Sequence, residues 1–196
     1  MSYFLRCIIV LVLVCFTSMC QAQIGSGWSA YTSQHNISAD PGYYYSNSGG
    51  VETFRISGSC NRSEIHLTPN YTSGSRQFEG SVNVKSGANS SSVQQVMEIN
   101  GSGDAHQIRV YNANGGYLKV LQNGVTVATG VYGKYVRVNV INYGSTGSVE
   151  TWINGSKKST YNIGQHPDGH YFKYGVYMHP ENNPQVQWKS IKTWKK

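Results

Sequence analysis

Acid is what this sequence has least of. Nine aspartates and glutamates stand against sixteen lysines and arginines in 196 residues. A glycoside hydrolase needs two working carboxylates, one as acid and one as base or nucleophile. No E-x-D-x-E strand provides them, and nothing in the spacing of Glu64 and Glu98 makes them a pair. The G-x-S-x-G elbow of many serine hydrolases is missing too. An H-x-x-x-H spacing at His166 and His170 straddles a P-D-G turn instead of a helix. No metal and no other cofactor is expected from it.

Cysteine is almost as scarce. Of four, Cys7, Cys15 and Cys20 fall in the first 22 residues and only Cys60 follows. That excludes an intrachain disulfide in residues 23–196, so packing must hold the core, with Cys60 read as a small buried hydrophobe. Long apolar runs are confined to one, C-I-I-V-L-V-L-V-C-F, preceded by Arg6 and followed by the small-residue ending C-Q-A. A cationic start, a short apolar centre and a small-residue end make a secretory signal, too short to span a bilayer comfortably. The expectation is a leader over 1–22, a single domain over 23–196, a secreted extracellular product and no membrane insertion.

Setting Arg6 aside lowers the formal charge from +7 to +6. The cations are dispersed, with no run beyond pairs such as Lys157-Lys158 and Lys195-Lys196. Nucleic acid is therefore not the expected partner; an acidic polysaccharide or a cell surface is. Six N-x-S/T sequons, at Asn36, Asn61, Asn70, Asn89, Asn100 and Asn154, are glycan acceptors if the chain passes a eukaryotic secretory route.

Helical spacing is absent after residue 23, while Gly, Ser, Asn and β-branched residues recur. Short alternating runs take its place: 51–57, 64–68, 78–84, 93–99, 106–111, 117–121, 125–129, 135–141, 149–153, 171–178 and 186–194. N-A-N-G-G, Q-N-G, N-Y-G and I-N-G mark turns between them. The pattern predicts one all-β domain, a jelly-roll sandwich of two antiparallel sheets with essentially no helix, and a monomer by default.

One run is unusual. In Y-F-K-Y-G-V-Y-M-H (171–179), alternation places Phe172, Tyr174, Val176 and Met178 on one face. Tyr171, Lys173, Gly175, Tyr177 and His179 share the other, where glycine leaves room above the backbone. Two phenols, an ammonium and an imidazole suit a strand that lines a cleft.

This run resembles the Y-F-K-A-G-x-Y-x-Q strand of the alginate lyases of polysaccharide lyase family seven and their glucuronan-lyase-like relatives. R-S-E-I (62–65) is similar to that family's R-[ST]-E-[LI] strand, and Q-V-M (95–97) takes the place of its Q-[IV]-H strand. G-K-Y-V-R-V-N-V (133–140) and I-N-G (153–155) also fit. The resemblance implies a concanavalin A-like jelly roll with a groove for an acidic polysaccharide, cleaved by β-elimination at a uronate.

That reaction takes a proton from carbon beside a carboxylate, so donors must meet the charge that builds there. Arg62 and Gln95 suit this task, the first by a bidentate fork and the second by an amide. The resemblance makes Tyr177 the base and acid, a double role open to a phenol beside cations. Lys173, Tyr171, His179, Glu64 and Arg109 are read as substrate-binding.

Where the family has histidine this chain has Met97. Either Tyr177 serves alone for syn elimination, or another histidine substitutes: His66 first, then His106 and His179. H-Q-I-R (106–109) is a second match to the family's glutamine strand, one strand out of step. Without catalysis the same surface is a lectin-like module for anionic glycans, which the lost histidine favours. A surface-active structural or defence protein would use only the charge and the tyrosines.

Overall fold

A computed structural model of the chain describes residues 23–58, 60–85, 87–101, 104–177 and 183–196. The leader expected over 1–22 lies outside these residues, as does His179. The described chain is a succession of strands without a helix. In order they are β1 (Ser29–Ala30), β2 (Gln34–Ala39), β3 (Tyr44–Ser48), β4 (Val51–Arg55) and β5 (Arg62–Tyr71). Then come β6 (Ser75–Val84), β7 (Ser92–Glu98), β8 (Asp104–Tyr111), β9 (Tyr117–Val120) and β10 (Thr126–Thr129). The last are β11 (Tyr135–Tyr143), β12 (Ser148–Ile153), β13 (Ser156–Asn162), β14 (His170–Tyr177) and β15 (Gln185–Lys195).

Two antiparallel sheets form the sandwich. One runs β13-β12-β11-β6-β15-β4-β3 with β1 added to β15; the other runs β10-β9-β8-β7-β14-β5-β2. Each of the eleven runs marked by alternation is a strand. Alternation did not mark β1, β2, β3 and β13. β2, β3 and β13 end their sheets. An edge strand buries little, so Q-H-N-I-S-A, Y-Y-S-N-S and S-K-K-S-T-Y-N carry no apolar face to read. β1 is two residues long.

The core lies between the sheets. Ile65, Leu67, Val93, Val96, Ile108, Val110, Phe172, Tyr174 and Val176 come from one sheet; Phe54, Phe78, Val82, Val138, Val140 and Trp188 come from the other. Phe78 lies 5.5 Å from Trp188 and 5.6 Å from Tyr174 between ring centroids, within the range where offset and edge-to-face rings attract. Residues alternating with the core set on β5, β7, β8, β9 and β14 occupy the outer face of the seven-stranded sheet. Cys60 is buried and unoxidised, as its surroundings in the sequence suggested.

Gly175 serves a different purpose from the one read in the sequence. Its φ is +137°, and a Cβ there would stand 2.5 Å from the Ser63 carbonyl oxygen and 2.7 Å from the Glu64 Cα. The space it preserves is against the neighbouring strand, where the β14–β7 register shifts between Tyr174 and Tyr177.

His106, an alternative histidine for catalysis, belongs to the core. It is fully buried, and its ring Nε2 lies 3.0 Å from Thr151 Oγ1 on the opposite sheet. Burial pushes its pKa down to about 3. The folded state therefore resists a proton that the unfolded chain accepts near the ordinary histidine value. Stability is fully present above about pH 6.5 and drains away as pH falls toward 3, at up to about 1.4 kcal/mol per unit. Urea unfolding midpoints measured over that range should show this slope, and His106→Leu should flatten it. An unchanged slope would show that other groups carry the acid sensitivity.

Candidate functional site

β14 sits between β5 and β7, and the register assembles the outer-face residues into rows. Tyr177 pairs with Arg62 and Ser92, Lys173 with His66 and Gln95, and Tyr171 with Met97. The Q-V-M segment is thus the strand beside Y-F-K-Y-G. H-Q-I-R lies on β8, one strand farther out, which resolves the choice between the two matches. Ser92 continues the first row through Arg109 to Lys119.

At the head of that row, the Arg62 guanidinium carbon stands 5.3 Å from the centre of the Tyr177 ring, a cation–π distance. Tyr177 is half-buried and belongs to the outer face, not to the core cluster. Arg62 Nε lies 3.9 Å from Asp40 Oδ1. Both members of that pair are about one-third exposed, and an exposed pair at this distance holds weakly.

Between the first row and the Lys173–Gln95 pair lies Glu64, opposite Gly175, and this middle row is different in kind. Glu64 is 2% exposed, Gln95 1% and Lys173 7%. Gln95 Nε2 donates to Glu64 Oε1 at 2.8 Å, and Lys173 Nζ lies 3.5 Å from Glu64 Oε2. This arrangement bears on three sequence expectations. Glu64 is almost wholly covered. The Gln95 amide, expected to meet a substrate carboxylate, is directed at Glu64. The charge of Lys173 is matched from within by the same carboxylate. Buried charge is tolerated only when paired, which is why three polar side chains on adjacent strands converge here.

His66 is turned away from the first row. It lies four residues from Arg62 along β5, about 13 Å at the rise of a strand. Its Nε2 lies 2.8 Å from Asn70 Oδ1, and its ring is tilted against Tyr171 with centroids 4.1 Å apart. Burial lowers its pKa and nearby Lys173 adds to this, against the Asn70 hydrogen bond. It is a member of the Tyr171 end, not a partner of Tyr177. Met97 faces the same end.

Sequence reasoning missed Ser92 and Gln107. Arg109 Nε donates to Gln107 Oε1 at 2.8 Å and to Ser92 Oγ at 3.1 Å, and the Ser92 hydroxyl also donates to Gln107 Oε1. This clasp fixes Arg109 beside Tyr177's row. Q-I-R spacing was visible in the sequence, but the serine opposite it became significant only through the register. Tyr111 and Tyr117 stack at 5.3 Å on the same face, with Lys119 Nζ 5.7 Å from the Tyr111 ring centre. Of the sequons, Asn36, Asn70, Asn100 and Asn154 are exposed and Asn61 and Asn89 are half-buried. No cluster of three or more metal-binding side chains occurs among the described residues.

Solved structures share this architecture. The alginate lyase AlgAT5 of polysaccharide lyase family 7 superposes with a TM-score of 0.62 at 19% identity, covering 78% of this chain and 82% of that one. The alginate lyase AlyC3 in complex with dimannuronate gives 0.61 at 12% identity, with 73% of each chain covered. The fold is the jelly roll of the family 7 alginate lyases. At such identities the likeness to the lyases is one of fold, and a shared fold does not by itself carry an activity. In sequence, a citrate-binding protein of Hevea brasiliensis is 41% identical over 138 residues, 68% of this chain. The chain spans 56% of that relative's length. No protein-family model matches the chain.

The middle row gives a prediction of its own. Glu64→Ala would strand the Lys173 ammonium and the Gln95 amide under cover, and should destabilise the fold by about 3–5 kcal/mol. The double change Glu64→Gln with Lys173→Met removes both charges and should be far milder. Chemical denaturation of both variants checks this; equal losses would mean that volume matters here and charge does not.

Proposed function

We propose that the chain is a polysaccharide lyase that cleaves a uronate-containing polysaccharide by β-elimination, with Tyr177 as base and acid. The observation that carries this reading is the register pair Tyr177–Arg62 on the outer face, with the guanidinium 5.3 Å from the phenol ring centre, in the fold of the alginate lyases. The chemistry needs little else. The phenolic oxygen, as phenolate, takes the proton on carbon beside the uronate carboxylate. The electron pair left behind becomes the new carbon–carbon double bond as the glycosidic oxygen leaves, and that oxygen receives the proton back from the phenol.

Arg62 is placed to hold the carboxylate as charge accumulates on it. Arg109, clasped by Ser92 and Gln107, offers a second cationic position in the same row. One group working on one face of the sugar asks for no second acid, so Met97 is compatible with turnover. The substrate class suggested by the excess of cations and by the dimannuronate bound to AlyC3 is an acidic polysaccharide such as glucuronan or alginate. The apolar run before residue 23 and the sequons suit action outside the cell.

Two observations favour a second reading, in which the same face binds carboxylates without cleaving them. Gln95 and Lys173 are engaged with Glu64, which leaves the row around Tyr177 with fewer donors than the elimination could use. The sequence relative is named for binding citrate.

The two readings part on incubation with glucuronan and with alginate, followed by the ultraviolet absorbance of the unsaturated product. The expected outcome is turnover of at least one polymer, lowered about 100-fold or more by Tyr177→Phe. Arg62→Ala should reduce kcat more than affinity, because its charge matters most as the transition state forms. Binding of polyuronate with no unsaturated product would establish the binding module instead.

A further inference from the structure

A second polar constellation lies away from this face, at a gap in the larger sheet. β15 pairs with β4 only as far as Lys189 and with β1 only from Trp194; on that side the Tyr31 N–H reaches the Thr193 carbonyl, and residues 190–192 have no ladder partner. The chain leaves β1 here and crosses to the other sheet as β2. A cleft of about 300 Å³ opens between the two segments, with His35, Ser33, Ile191, Lys192 and Trp194 among its walls.

His35 is exposed to this cleft on one side and tied to buried groups on the other. Its Nδ1 lies 3.0 Å from the hydroxyl of Tyr174, a core residue of β14. That hydroxyl donates to Glu52 Oε2 at 2.7 Å, and the Tyr45 hydroxyl donates to Glu52 Oε1 at 2.9 Å. Burial pushes the Glu52 pKa up, but the His35 ring, its Nδ1 3.9 Å from Oε1, and the hydrogen bonds from Tyr174 and Tyr45 outweigh it and the result is lowered. Glu52 is therefore a carboxylate with no proton to offer.

Counting protons then settles the imidazole. A phenol has one proton, and that of Tyr174 is given to Glu52. The short contact between Tyr174 and His35 must be a bond donated by Nδ1–H to the phenolic oxygen. In the neutral ring the lone pair is consequently on Nε2, the nitrogen without a partner in this chain of bonds. Glu52, through Tyr174, fixes the tautomer of a histidine at the wall of a cleft, with Lys192, which stands opposite Glu79 in the β15–β6 register, on the facing segment.

We propose that this cleft is a second ligand site, separate from the Tyr177 face, and that it takes a small hydroxycarboxylate. The ligand hydroxyl donates to His35 Nε2, its carboxylate pairs with Lys192, and its carbon skeleton rests on Ile191 and Trp194. A hydroxylated tricarboxylate and a single uronic acid both present this chemistry. The site stands whether or not the Tyr177 face turns over a polymer.

Calorimetric titration with citrate, tricarballylate and glucuronate separates the contributions, since tricarballylate keeps the carboxylates of citrate and lacks its hydroxyl. Citrate or glucuronate should bind, and citrate should exceed tricarballylate by about tenfold, the worth of one well-made hydrogen bond to a site built for it. Lys192→Ala should weaken binding about tenfold, His35→Leu should erase the preference for the hydroxyl, and Arg62→Ala should change neither. Nitrogen-15 spectra of the unaltered protein, which need no variant to fold, should show the Nδ1–H tautomer. An Nε2–H tautomer, equal affinity for citrate and tricarballylate, binding abolished by Arg62→Ala but not by Lys192→Ala, or no binding at all would each overturn the proposal.

Discussion

A buried carboxylate organises the outer face of the seven-stranded sheet. Glu64 on β5 accepts from Gln95 on β7 and pairs with Lys173 on β14, so one side chain ties three neighbouring strands across the middle of the sheet. None of the three could be buried alone without the full desolvation penalty of its polar group. Their mutual satisfaction allows charge to be buried on the same face that carries Tyr177 and Arg62. The same arrangement explains why the cationic character of this face resides in Arg62, Arg109 and Lys119. Lys173 is balanced from below, whereas Arg62 Nε stands 3.9 Å from a part-exposed Asp40.

Much of this was legible in the sequence because antiparallel sandwiches write their two faces into alternate residues. The split of β14 into Phe172, Tyr174 and Val176 against Tyr171, Lys173 and Tyr177 is the clearest instance, and the core membership of the first set follows it. The edge strands β2, β3 and β13 were illegible, since they bury too little to need an apolar period, whereas the edge strand β10 was legible because Val127 reaches the core. Side-chain pairing was also hidden. Arg62 and Glu64 share a strand face two residues apart, an arrangement that reads as a pair. Cross-strand neighbours intervene: Lys173 reaches Glu64 first, and Arg62 turns to Tyr177 and Asp40. The same blindness to register hid Ser92, which has no meaning until Arg109 and Gln107 stand opposite it.

Gly175 shows how a correct residue can be chosen for the wrong reason. Glycine in a strand reads as space for something above it. Here the strained φ and the nearby β5 backbone require it, and the register shift it permits lies between Tyr174 and Tyr177. That shift sets the residue reaching into the core at Tyr174 and the residue reaching the outer face at Tyr177 on the two sides of one irregularity. A larger side chain at this position would disturb both at once.

β14 therefore carries two polar constellations on opposite faces of a single strand. Tyr177 and Lys173 belong to the outer face, while the Tyr174 hydroxyl, between them in sequence, closes the Glu52–His35 relay on the inner side. A phenol at 174 is otherwise hard to justify. Its ring packs on Phe54, Phe78 and Trp188, and phenylalanine would fill that volume without bringing a hydroxyl into the core. The hydroxyl brings a strongly held proton that Glu52 accepts and a second lone pair that commits His35 to one tautomer. Burial and the neighbouring Glu52 charge both push the Tyr174 pKa far above the ordinary phenol value, so this proton stays in place whenever the sandwich is folded. A permanent donor and a permanent acceptor make a fixed orientation for His35, and fixed orientation is what a recognition site requires of its polar groups.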